Sequence, residues 1–159
     1  MSRRTKGHAL RELTLGLHAE KLLAAAASAD IFKTYGRVKI NLLYGQVTVA
    51  EASGATIVKL TEKTNSVDLC ADTTVTGDAI GTMYRLTGDP AVILCGTGNV
   101  PVIDVSGLLS AFQHGDLIVG RAATANAIKL TASTPSATLV IKWHVFYTPL
   151  DDDAYVVAA

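Results

Sequence analysis

The sequence predicts an all-β fold, an antiparallel β-sandwich or jelly-roll-like barrel with a short N-terminal arm. Three observations predict it. Apolar and polar residues alternate over many short runs, the period of a half-buried strand. Turn signals (SGA, TGD, GDP, GTGN, HGD, STPS) recur about every 8 to 15 positions. No helical segments alternate with these runs, as a parallel sheet would require.

The elements follow in order. Residues 1–12 are basic and polar and read as an arm, with 13–159 as one β-sandwich domain. In ELTLGLHAE, Leu13, Leu15 and Leu17 alternate with Thr14 and Gly16 as in a strand, although Leu10, Leu13 and Leu17 also fit helical spacing. The alanines of KLLAAAASAD (21–30) favour a small-residue connector or one short helix. From Ile31 the pattern is β: Val38, Ile40 and Leu42 alternate, and Tyr44 with Gly45 predicts a bend or bulge before Val47 and Val49. Further strands are predicted within 56–64, 67–71, 81–88, 91–95, 100–112, 116–122 and 126–133. The last segment, 137–159, reads as a long amphipathic strand, a Pro turn, three aspartates and a short terminal strand. Leu139, Ile141, Trp143, Val145 and Tyr147 share one face of that long strand and call for an apolar layer to cover them. A lone Trp in such a strand is read as a core plug.

With 159 residues the chain can bury a core without a disulfide or a metal. Hydrophobic residues make up 49% and charged residues 18%, which leaves more neutral surface than usual for protein partners to cover. No window reaches the roughly 18 uninterrupted apolar residues of a spanning helix, so no membrane partner is expected. The net charge of +0, with aromatics at 6% and basic residues dispersed outside the arm, argues against nucleic acid. Charge is nevertheless uneven: Arg3, Arg4, Lys6, Arg11 and Lys21 face only Glu12 and Glu20 before residue 22, while Asp151, Asp152 and Asp153 cluster near the other end. The two groups either meet across a subunit boundary or are solvated termini. Cys70 and Cys95 are expected as buried free thiols, with a disulfide between them as the alternative. The N-terminus lacks the apolar run of a secretory signal, which predicts synthesis and assembly in a cytoplasm.

The search for chemistry assigns no catalytic, cofactor or metal residue. His8, His18, His114 and His144 are scattered, and none is read as having a second donor at a metal-site spacing. His144 falls opposite Trp143, beside Lys142, Phe146 and Thr148, as a surface or interface residue. The QHGD turn pairs His114 with Asp116 but offers no nucleophile. There is no G-x-S-x-G, and GTGN lacks the Lys-Ser/Thr pair of a phosphate loop. Adjacent aspartates in extended chain point alternately, so Asp151, Asp152 and Asp153 are read as turn or inter-subunit residues, not a calcium loop.

The segments IFKTYGRVKINLLYGQVT (31–48), GTMYRLTGDPAVIL (81–94) and LVIKWHVFYTPLDDDAYVVAA carry a resemblance. The last contains W-x-x-x-Y-x-P-L-D-D-x-A, and together they resemble the small head proteins of tailed bacteriophages that decorate or cement a capsid. The resemblance implies a β-rich, homotrimeric, non-enzymatic virion protein on the outer surface of a shell built from a separate major capsid protein. The arm residues Arg3, Arg4, Lys6 and Arg11 would then contact the capsid. Two other readings compete: a tail-associated or head-fibre virion protein that recognises a host surface ligand, and a small β-sandwich enzyme using Asp104 and Asp116 as paired carboxylates.

Overall fold

The computed structural model describes residues 15–51, 56–86, 93–95, 117–120, 125–133, 135–136 and 138–159. The arm residues Arg3, Arg4, Lys6 and Arg11, together with Cys95's neighbours in GTGN, Asp104, His114 and Asp116, lie outside the described residues. Two six-stranded antiparallel sheets pack together as a β-sandwich. The strands are β1 (Leu17–Ala24), β2 (Ala29–Tyr35), β3 (Val38–Val49), β4 (Ile57–Glu62), β5 (Val67–Asp68), β6 (Thr73–Thr74), β7 (Met83–Leu86), β8 (Ile93–Cys95), β9 (Leu117–Val119), β10 (Asn126–Ala132), β11 (Val140–Pro149) and β12 (Tyr155–Ala158). The first sheet runs β1-β11-β3-β7-β8 with β9 also on β3, and the second runs β12-β2-β10-β4-β5 with β6 on β4.

The core lies between the sheets and is built by the alternation the sequence displays. Leu139, Ile141, Trp143, Val145 and Tyr147 are all buried, and Phe32, Leu60, Ile128 and Leu130 meet them from the second sheet's side of the core. Around them, β11 pairs with β1 on one side and with β3 on the other, the longest ladders of the fold. The last strand, β12, pairs antiparallel with β2.

Two expectations are corrected. The segment 21–30 is neither connector nor helix: Lys21 to Ala24 complete β1, a tight turn follows, and Ala29 already begins β2. Alanine's helix preference is worth tenths of a kcal/mol per residue, and pairing with β11 outweighs it. Nor does β3 bulge at Gly45, which sits in regular register opposite Trp143. The extra residues are Asn41, between the Phe146↔Leu42 and Tyr147↔Ile40 pairs, and Thr48, between Val140↔Val49 and Ile141↔Val47. The first bulge shifts the alternation, so that Val38 and Ile40 before it and Leu43, Gly45 and Val47 after it all turn inward. Leu42 thereby leaves the core face predicted for it.

Candidate functional site

On the outer face of the first sheet, three adjacent strands bring together His18, Glu20, Tyr44, His144 and Phe146. In β1, Ala19 and Leu23 pack on the core, so the alternating His18 and Glu20 point outward. In β11, burial of Trp143 and Val145 turns His144 and Phe146 to that same outer side. Register then sets the neighbours: His18 lies opposite Phe146, Glu20 opposite His144, and His144 opposite Tyr44.

The contacts are specific. His18 Nε2 and His144 Nδ1 are 3.1 Å apart, in hydrogen-bond range, so one ring donates and the other accepts. A Glu20 oxygen, Oε2, lies 3.5 Å from His144 Nδ1, while its other oxygen, Oε1, accepts from Lys142 Nζ at 3.1 Å. That hydrogen bond, foremost, holds the Glu20 carboxyl below the usual carboxylate range, and the nearby histidines add to the effect. Ring contacts brace the pair: His18 stacks on Phe146 at 4.6 Å between centroids, and Tyr44 on His144 at 4.7 Å. Phe146 is only 3% exposed although it lies outside the central core cluster. His144 has a side chain 13% exposed against 49% for Glu20, so the site is half-buried with an open acidic side.

Chemically this is a set of two imidazole nitrogens and one carboxylate oxygen, all within 4.8 Å of one another, the donor types that bind borderline divalent metals. Sequence reading missed it. The local signal was present as His18-x-Glu20, a spacing of two that puts both side chains on one face of a strand. The contribution of His144 from more than a hundred residues away needed the β1-β11 register.

The aspartates form a separate corner. Asp151 Oδ1 accepts from Arg37 Nε at 3.0 Å and Nη2 at 2.7 Å, and Oδ2 accepts from the Arg37 backbone N–H at 2.7 Å. Leu150 N–H donates to Arg37 O at 2.9 Å, and Ala154 N–H to Asp151 O at 3.0 Å. Both connections cross from one sheet to the other, β2 to β3 and β11 to β12, so this three-bonded ion pair joins two inter-sheet corners. Asp152 and Asp153 are exposed in the same turn. Asp151 is thus a turn residue, its carboxylate engaged by Arg37. Cys70 is a free, fully buried thiol, and burial pushes it up to about 12.

Comparison with protein-family models, curated proteins and solved structures returns no match to this chain. The reading of its function rests on its own residues.

Proposed function

We propose that the chain is a non-enzymatic virion structural protein, a decoration or cement protein that binds the outer surface of an assembled phage capsid and stabilises it. One observation carries the reading: four of the seven specified positions of the phage-like ending W-x-x-x-Y-x-P-L-D-D-x-A have a scaffolding task, while Leu150 and Asp152 stay exposed. Trp143 and Tyr147 fill the core, Asp151 clamps Arg37, and Ala154 packs against the Gly36 turn. A motif spent on the scaffold in this way is a signature of architecture, as expected where function is adhesion.

Surface composition supports the same reading. The sheet-edge strands carry exposed apolar side chains, Leu17 and Leu22 on β1 and Tyr155 and Val157 on β12. Such exposed apolar side chains suit contact with neighbouring protein, whether the major capsid protein or the other members of a homotrimer. The basic arm, with Arg3, Arg4, Lys6 and Arg11, would contact the capsid. A protein that binds only the expanded shell adds its binding free energy to that state, multiplied over many copies. Synthesis in the host cytoplasm followed by residence on the capsid surface fits this scheme.

The test is the temperature at which particles release packaged DNA, compared with and without this protein. A higher release temperature in its presence is expected, and equal temperatures would overturn a cementing role. Copy counting in purified particles separates this reading from a tail-associated or head-fibre protein, which would be present in only a handful of copies.

A further inference from the structure

We propose that His18, Glu20 and His144 form a binding site for a divalent metal ion of the zinc class, which pins the edge strand β1 to β11. The inference stands independently of the virion reading, since it rests only on three side chains and the register that joins them.

Ligand chemistry comes first. Zinc takes His nitrogen and carboxylate oxygen at about 2.0–2.2 Å in a tetrahedron, so neighbouring ligand atoms lie about 3.3–3.5 Å apart. The observed separations, 3.1 Å between the imidazole nitrogens and 3.5 Å from His144 Nδ1 to Glu20 Oε2, bracket that edge. Entry of an ion replaces the single proton now shared by the two rings. The nitrogens need to spread by a few tenths of an ångström, and the rings, only 13° from parallel, must turn so that both lone pairs converge. Protons balance: the ring that donates in the His18-His144 bond exchanges its one N–H proton through solvent to its far nitrogen, with no net release, and both ligand nitrogens then coordinate as neutral imidazole.

The surroundings favour the site. Lys142 holds Glu20 through Oε1, which leaves Oε2 turned toward His144. Tyr44 and Phe146 stack against the imidazoles and limit their freedom, so less ordering remains to be done on binding. All three ligands sit on paired strands, where positions are more exact than on loops. Three protein ligands leave a fourth position for water or a donor from a neighbouring molecule. Lys142 is the opposing term: its ammonium competes for the carboxylate and lowers affinity below that of an unencumbered site.

The fold-level consequence concerns β1. Among the described residues it is the outermost strand of its sheet, and the basic positions of 1–12 precede it in the sequence. A metal bridging its His18 and Glu20 to His144 of β11 would lock this edge.

The experiment uses the untagged full-length protein, stripped with chelator and titrated with zinc by calorimetry and with cobalt as a spectroscopic probe. One ion per chain, intense visible absorption from four-coordinate cobalt, and a melting temperature raised by zinc are expected. His144→Ala and Glu20→Gln should each weaken zinc binding on the order of 100-fold or more and abolish the melting shift. Glu20 is half-exposed, so Glu20→Gln keeps the fold and serves as the control should His144→Ala fail to fold. Lys142→Met should tighten binding. Zinc affinity and cobalt spectrum unchanged in Glu20→Gln, or no zinc binding by the parent chain, would overturn the proposal.

Discussion

The indole of Trp143 occupies the space that a side chain at Gly45 would fill. A Cβ built on Gly45 would meet Trp143 Cε3 and Cζ3 at 2.9 Å and Ile141 Cγ2 at 2.8 Å. Gly45 is thus required by a neighbour across the strand pair, and not by an unusual backbone angle. Gly45→Ala should destabilise the fold by about 1–3 kcal/mol through overpacking, although alanine is the better strand former. Urea unfolding measures it. A variant as stable as the parent would mean that the Trp143 ring has room to move aside.

Arg37 and Asp151 give the inter-sheet corner a pH dependence of known sign. Hydrogen bonds from the Arg37 side chain, then from its backbone N–H, hold the Asp151 carboxyl below the usual Asp range. A depressed carboxylate contributes stability that is complete above its unfolded value and is lost as pH falls through the lower folded value. Asp151→Asn should therefore lower the urea midpoint at neutral pH, and the parent and variant curves should converge on acidification. Both groups are solvent-accessible, so the difference is small and shrinks further in high salt. A gap that persists unchanged into strong acid would show that the ion pair is not its source.

Much of this architecture is written in local pattern. The inward face of β11, the Pro turn and the terminal strand need only a period of two and a few turn residues to be read. What escaped is non-local. The alanines at 24–27 look helical until the strand that ends at Ala24 is known to pair with β11, and the phase change at Asn41 has no composition of its own. Gly45 carries the usual sign of a bulge, but its reason is a tryptophan nearly a hundred positions later. The His18-Glu20-His144 cluster combines both kinds: two ligands share a strand face in plain view, and the third arrives only through strand register.

Cys70 should be inert in the native protein. Its thiol is fully buried, donates toward Leu60 O, accepts from Leu60 N–H at 3.1 Å, and is pushed up to about 12 by desolvation. Since only the thiolate reacts with alkylating reagents, folding removes both access and the reactive form. Iodoacetamide treatment of native protein followed by peptide mapping should leave the Cys70 peptide unmodified, whereas treatment in denaturant should label it fully. Rapid native labelling would contradict the burial.

Asn126 and Glu62 anchor the turn between β4 and β5 from inside the protein. Asn126 Nδ2 donates to Glu62 Oε1, and Asn126 Oδ1 accepts from Thr64 Oγ1 at 2.6 Å and from Ala127 N–H at 2.7 Å. Glu62 in turn accepts from the backbone N–H groups of Thr64 at 3.2 Å and Asn65 at 2.8 Å. Both side chains are 6% exposed, so neither can exchange a lost partner for bulk water. Asn126→Ala removes a donor to a buried carboxylate and an acceptor for the turn, at a cost of about 1–3 kcal/mol. Asn126→Asp is nearly isosteric yet should cost more at neutral pH, because it replaces the donor to Glu62 with a second carboxylate. Thermal melts of the two variants therefore order as parent, Ala, Asp from most to least stable. If Asp proved as stable as Ala, the contact between positions 126 and 62 would have to be solvated and not buried.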